Sequence, residues 1–449
     1  MSFNNLITEK IILPLSDLAF HQTITKHFNF LQKSQWWSIE ELKEYQNKKL
    51  RILIKHAYEN VPYYNDIFKK MKLVPADIKT TDDLLKIPIL TKEMIRKNFP
   101  HRIVAKNIAK KKIMLKASSG STGEPLQYYI TKDAYSFNIA SNLRGWYWMG
   151  YRIGDKYVKL SQNPREELKK KLQDKINRCN YISSQQLTEK NIKKTIKEIK
   201  KYNPAFIRGY PDPMYLLAKY IKNNSLKIPM SKAINTTGNI LFNQTRKLIE
   251  EQFHCKVFDS YSCEGGANIF ECETHEFYHS SMEYAITEIL DTSREVPPGE
   301  RGRLVTTDLR NFAVPFIRYD SQDIVKKGEN HCICGRGLFT IKRIEGRDND
   351  FLITPSGKYL IVHNFTGYFE WINTVKQFQV IQEEINKIII KLVVNETFNE
   401  YEKEKIHKYW STYVGEDIKI YIELVDNIPL TTSGKRRFLI RNKHIPLDL

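Results

Sequence analysis

Hydroxyl-bearing residues and glycines crowd together at Ser118-Ser119-Gly120-Ser121-Thr122-Gly123, between two short apolar runs spanning 113–131. Glycines let backbone N–H groups turn toward an anion, and hydroxyls add donors for phosphate oxygens. The stretch is not a Walker loop, because no Gly-Lys-Ser/Thr follows and no helix pattern starts there. By itself it reads equally as a phosphate cradle or as a plain surface loop. Near the other end, Ser433-Gly434-Lys435-Arg436-Arg437 sets a lysine in a turn. That is either an ordinary basic loop or a cation placed to meet an anionic reacting group.

A second constellation is Cys272-x-x-His275 with Cys332-x-Cys334, about 60 residues further on. Three thiolates and one imidazole suit tetrahedral Zn²⁺ and leave no open position, so the metal would be structural. His279 and His331 are alternative ligands. The plain reading is a set of separate, reduced cysteines. Six cysteines in 449 residues are too few for a disulfide scaffold.

These groups need elements to position them. Residues 1–112 look helical, with LRILIKHAYENVPYYNDIF (50–68) apolar at helical spacing and broken at Val61-Pro62. Helical patterns dominate 132–225, with a strand expected at Lys156–Leu160. AINTTG (233–238) reads as a buried strand, NQTRKLIEEQF (243–253) as a helix and KVFDSYS (256–262) as another strand. That alternation predicts an α/β layered domain with a largely parallel sheet. Residues 283–325 are strand-like around the Pro297-Pro298-Gly299 turn. After GRDND (346–350) comes a smaller unit with strands at 388–394 and 418–425 and a helix at 399–414.

The expected fold is α/β, with a large multi-subdomain N-terminal domain of layered sheets and a small α+β C-terminal domain. The expected divisions are 1–112, a helical N-terminal part; 113–346, the core; and 347–449, the C-terminal domain. Length and a 41% hydrophobic content support a sizeable core. The net charge of +20 would attract phosphorylated substrates, an anionic membrane or nucleic acid. Its lysines are dispersed along helical runs such as Glu166–Lys175 and Lys190–Lys201, as on a solvated face, so no nucleic-acid partner is expected. There is no secretory signal and no apolar stretch near the roughly 20 residues of a membrane helix, so a cytoplasmic location is expected.

Taken in order, the motifs resemble the adenylate-forming superfamily, and within it the phenylacetate–CoA ligase and CapK-type branch. SSGSTGEP (118–125) matches the family's phosphate loop. FDSYSCEGG (258–266) matches its aromatic-then-glutamate segment, and IRYDSQDIV (317–325) its Tyr-Arg-x-x-Asp strand. EGRDND (345–350) matches the hinge, and IPLTTSGKRRF (428–438) the C-terminal lysine segment. WWSIEEL (36–42), HAYENVPYYNDIF (56–68) and KIPILTKEMIRKNF (86–99) fit the CapK-type branch, so the resemblance spans nearly the whole chain.

The resemblance implies ATP-dependent activation of a carboxylic acid to an acyl-adenylate, then transfer to CoA or another thiol. Lys435, Glu264 and Thr122 would be catalytic. Ser118 to Gly123, Gly238, Asp259, Ser260, Tyr261, Asp323 and Arg347 would bind the nucleotide. Glu264 and Thr122 would hold Mg²⁺, which prefers hard oxygen ligands. Asp323 would accept from the ribose hydroxyls, and Lys435 would reach the α-phosphate and the acid carboxylate. Trp146, Tyr210 and Thr237 would line the acid pocket, with Arg208 nearby. Some members of this branch carry a structural metal, which supports Zn²⁺ at Cys272, His275, Cys332 and Cys334.

The chain departs from the family at Gln322, where glycine or arginine is common, at Cys263, and in FLITPSGKYLIVHNF (351–365). The last difference bears on the CoA half-reaction. An alternative acceptor is an amine or sugar in capsule or surface-polysaccharide assembly. A second alternative is a non-catalytic basic binding protein on this fold. Neither the acid nor the oligomeric state is set by the sequence, and a dimer is compatible with it.

Overall fold

A computed structural model of the chain describes residues 2–117, 126–161, 167–183, 189–291, 294–329, 331–347, 351–355, 359–361, 365, 368–369, 372, 374–415, 417–429 and 437–442. Contacts divide it into two compact units. The first is Met1–Leu241, Thr245–Ser321 and Val325–Ile344; the second is Phe242–Gln244, Gln322–Ile324 and Glu345–Leu449.

The N-terminal helices follow their sequence signals. Ser38 caps the helix Ile39–Asn60 and forms a capping box with Glu41. Leu42, Leu50, Leu53, Ile54 and Ala57 lie buried on one face of that helix. Pro62 ends that pattern and serves as the first residue of the helix Pro62–Lys70. These helices pack on Ile286, Leu309 and Ile317, so they share the large unit's core.

Two short strands, β1 (Ile113–Ala117) and β2 (Gln127–Thr131), pair antiparallel. The next strands are β3 (Tyr157–Ser161), β4 (Cys179–Ser183), β5 (Phe206–Gly209), β6 (Ala233–Thr237) and β7 (Lys256–Ser262). They form a parallel run in the order β4-β3-β5-β6-β7. Alternation along these strands feeds two cores. Val158, Ile207, Ile234 and Val257 pack under the helices Glu189–Tyr202, Pro211–Asn223 and Asn243–Phe253. Phe206, Ala233 and Phe258 pack on the other face under Ile24–Ser34 and Lys132–Trp148. The result is a helix–sheet–helix sandwich of the doubly wound kind.

The sheet continues beyond β7 with β8 (Asn268–Glu271), β9 (Tyr278–Ser280), β10 (Ala285–Asp291), β11 (Arg294–Glu295), β12 (Arg301–Asp308), β13 (Tyr319–Lys327) and β14 (Thr340–Arg347). The full twelve-stranded order is β11-β10-β12-β13-β14-β9-β8-β7-β6-β5-β3-β4. The second unit carries the hairpin of β15 (Phe351–Ile353) and β16 (Tyr359–Ile361). Its four-stranded sheet has the order β19-β18-β17-β20, from β17 (Val375–Glu384), β18 (Lys387–Val394), β19 (Lys419–Leu424) and β20 (Leu439–Arg441). Trp410, fully buried on the helix Glu400–Val414, stacks on Phe365 at 4.2 Å. The mixed α/β large unit and the small α+β unit are the fold class expected. No helix among the described residues is long and apolar enough to cross a membrane.

Candidate active site and metal centre

Strands β5, β6 and β7 end level with one another: Gly209 pairs with Thr236, and Thr237 with Ser260. Ligands of doubly wound folds bind at this carboxyl edge. Thr237 stands half-buried at the tip of β6. Gly238 follows with φ +83°, and a Cβ there would lie 2.5 Å from Tyr210 Cε1. Only glycine both takes that backbone angle without strain and lets the tyrosine ring close over it.

Behind this edge the side chains of Asp259 and Ser260 are held by partners within the sheet. The Asp259 carboxylate is buried, accepting from Thr236 Oγ1 at 2.6 Å and Tyr278 OH at 3.1 Å. Burial, above all, pushes its pKa up to about 7. Its backbone N–H donates to Glu271 Oε2, which also takes an Arg246 hydrogen bond. Ser260 Oγ donates to the Thr236 carbonyl at 2.9 Å. Both side chains are thus engaged inside the sheet. Tyr261 is half-buried against the Ala267, Ile269 and Val325 cluster.

Glu264 lies half-buried in the tight turn between β7 and β8. Gly266 takes φ +87°, and its hypothetical Cβ would lie 2.8 Å from the Asp308 carboxylate carbon. Burial first, then the charges of Glu264 and Asp308, raise the pKa of Tyr128 on β2. Burial likewise lifts Asp308 to about 6 against its backbone hydrogen bonds from Arg310 and Asn311. The turn thus gathers two carboxylates and a phenol beside the strand that leads out of the serine-rich loop. Hard oxygen donors of this kind fit Mg²⁺.

The remaining predicted residues divide by visibility. Ser118, Ser119, Gly120, Ser121, Thr122, Gly123 and Lys435 lie outside the described residues. Of Arg347 the backbone is described, as the end of β14. Asp323 is half-exposed on β13, directly after Gln322 at φ +63°. Trp146 and Tyr210 flank Arg208: the guanidinium sits 4.9 Å from the Trp146 ring centroid. Burial, above all, lowers the Arg208 pKa, with Tyr157 and Tyr210 opposing.

Cys272, Cys332 and Cys334 do converge, but with His279. Their ligand atoms all lie within 4.8 Å of one another. Cys272 Sγ is 3.8 Å from Cys332 Sγ, and Cys334 Sγ is 3.3 Å from His279 Nε2. Tetrahedral Zn²⁺ with Zn–S of about 2.3 Å would set thiolates about 3.8 Å apart, so the group fits. The Cys334 hydrogen bond is the largest influence holding the Cys272 thiol below its ordinary value. For Cys332 burial opposes charge, yet hydrogen bonds headed by His279 outweigh it and lower the pKa. His275 is a correction: its Nδ1 faces Glu271 Oε1 at 3.3 Å and its ring packs on Phe258. His331 is exposed and outside the cluster.

Residues the motifs did not mark also stand here. Asn235 is buried on β6 beside Arg208, and Asn268 is buried on β8. A polar residue inside AINTTG was the signal, since buried amides need a reason.

Residues 352–442 match the CapK C-terminal domain family. Protein CapK of Staphylococcus aureus is 28% identical over 433 residues, 94% of each chain. Phenylacetate-coenzyme A ligase of Pseudomonas putida is 27% identical over 345 residues, covering 70% of this chain and 73% of that one. A crystal structure of 2-hydroxyisobutyryl-CoA ligase in the postadenylation state shares the fold, with a TM-score of 0.73, 18% identity and coverage of 92% and 93%. The chain is thus similar in sequence to CapK and to phenylacetate–CoA ligases, and it shares the fold of an acyl-CoA ligase, in line with the resemblance carried by the motifs.

Proposed function

We propose that the protein uses ATP to activate a carboxylic acid as an acyl-adenylate and passes the acyl group to CoA or another thiol. The carrying observation is the aligned ends of β5, β6 and β7 with the Glu264 turn beside them, in a chain similar over 70% of its length to a phenylacetate–CoA ligase. A solved neighbour at TM-score 0.60, 2-hydroxyisobutyryl-CoA ligase, is complexed with an acyl-AMP and CoA, which supports the same two half-reactions.

In the first half-reaction a carboxylate oxygen attacks the α-phosphorus of ATP. The new O–P bond forms as the bond to the β-phosphate bridging oxygen breaks, and pyrophosphate leaves. Both reactants are anions, so the chain's part is chiefly charge placement. The loop Ser118 to Gly123 would hold the phosphates, Glu264 and Thr122 the Mg²⁺ ion, and Asp323 the ribose. Magnesium supplies positive charge to the phosphate oxygens when bound. Arg347 and the aromatic face of Tyr261 would bind the nucleotide, with Gly238 and the backbone at 259–260 beside it. Lys435 would offset the charge that develops between carboxylate and α-phosphate. The described Cys₃His cluster would hold a structural Zn²⁺.

Lys435→Ala should lower acid-dependent ATP–pyrophosphate exchange by about 10²–10³ while leaving the melting temperature unchanged. Exchange that survives the substitution overturns the assignment of Lys435. A second reading keeps this half-reaction and changes the acceptor to an amine or sugar. The match of 352–442 to the CapK C-terminal domain supports it. Supplying CoA and amine or sugar acceptors in parallel to the adenylating enzyme separates the two: AMP release that follows one acceptor excludes the other.

A further inference from the structure

One polar seam is left unexplained by the nucleotide chemistry. On the helix Lys132–Trp148, Asn138, Asn142 and Trp146 recur every four residues and so share one face. That face lies over the sheet, where the Asn268 amide nitrogen donates to the Asn138 carbonyl at 3.3 Å. Opposite stand Arg208 on β5 and Asn235 on β6, paired in register and therefore on the same side.

Three buried polar atoms here have no hydrogen-bond partner among the described residues: Arg208 Nε, Trp146 Nε1 and Asn235 Oδ1. The amide orientation of Asn235 is fixed by its nitrogen. Asn235 Nδ2 donates to the Phe258 carbonyl at 3.1 Å and to Ser260 Oγ at 3.2 Å, which leaves its oxygen unbonded. Arg208 forms no ion pair among the described residues, and its guanidinium rests on the Trp146 ring. Buried donors and acceptors are ordinarily paired, and a buried cation more so. Two orphan donors, one of them on a cation, beside the orphan Asn235 oxygen describe a receptor for a polar, anionic group.

Resting on the adenylation reading, we infer that the acid carries a second carboxylate, bound by Arg208 and Trp146 Nε1 at the foot of the acid pocket. The carboxylate that reacts faces the nucleotide; the second one pairs with the guanidinium through charge-assisted hydrogen bonds. The Asn235 oxygen accepts from a hydroxyl or amide hydrogen on the chain between the two carboxylates. Arg208 is thus a specificity-determining residue, since a site built for a polar group rejects the analogue lacking it.

The test measures acid-dependent ATP–pyrophosphate exchange of the full chain across α,ω-dicarboxylates from malonate to adipate, each against the monocarboxylate of equal length, with phenylacetate included. A dicarboxylate should exceed its monocarboxylate partner by about 10²-fold in kcat/KM. Arg208→Met should collapse that ratio chiefly through KM for the diacid, and Arg208→Lys should restore part of it. Trp146→Phe, which keeps the ring and removes one donor, should narrow the ratio less, and it serves as the reading should Arg208→Met fail to fold. Exchange with monocarboxylates at equal or better kcat/KM overturns this inference and leaves adenylation standing. A diacid preference unchanged in both Arg208→Met and Trp146→Phe also overturns it. No exchange with any acid overturns the adenylation reading and this inference with it.

Discussion

Gln322 shows what one backbone angle demands. Its φ of +63° lies in the left-handed region, inside the strand β13 and next to the proposed ribose ligand Asp323. L-residues avoid that region because Cβ crowds the carbonyl, at a cost of about 1–2 kcal/mol. Where the family that the chain resembles commonly has glycine or arginine, this chain thus sets a glutamine at a strained position. Gln322→Gly and Gln322→Val both delete the amide, so their difference isolates the backbone. The glycine variant should be the more stable by about 1–2 kcal/mol in denaturant unfolding. Equal stabilities would mean the angle relaxes without cost.

At the scale of elements, a buried ion pair ties three segments together. Arg144 on the Lys132–Trp148 helix and Glu283 before β10 are both fully buried, 2.7 Å apart, and Ser34 Oγ donates to the same Glu283 oxygen at 2.5 Å. Arg144→Met should cost about 3–5 kcal/mol, because it leaves a buried carboxylate without its counter-charge. Adding Glu283→Gln should recover part of that loss in thermal unfolding. The Cys272, His279, Cys332 and Cys334 group, proposed to hold zinc, works at the same scale by joining the β8–β9 hairpin to the 332–334 loop. Purified protein should carry about one zinc per chain, and Cys332→Ala should lose both the metal and several degrees of melting temperature. A metal-free, fully folded protein refutes the zinc assignment.

The same hairpin shows where the sequence was legible. Cys-x-x-His spacing pointed to His275, yet antiparallel pairing sets His279 opposite Phe270 and returns it to the Cys272 thiol. Long-range register of this sort leaves no mark in local spacing. KVFDSYS coincides with β7, because an apolar run between polar flanks is a local signal. Strands β4 and β5 were hidden: they have five and four residues, set between lysine-rich helices whose pattern dominates any window. Motif order marks Thr237 and Glu264, which lie at the end of β6 and in the turn after β7. It could not show that Asp259 and Ser260 turn inward, since that depends on partners from β6 and β9.

Over the whole molecule the charge of +20 acts as a self-repelling field. Between about 0.01 M and 0.1 M salt the screening length falls from about 30 to about 10 Å. Melting temperature should therefore rise by about two degrees over that range; a fall would mean that surface ion pairs dominate. One consequence concerns the order in which the chain is made. The β9 edge and the β10–β13 block leave the ribosome before β14, which alone fills the place between β9 and β13. Until that late strand arrives, the two halves of the sheet expose open edges to any neighbouring nascent chain. Residues 340–347 are thus the keystone of a vulnerable interval in biosynthesis, and a ribosome that stalls just short of them strands a half-built, adhesive sheet.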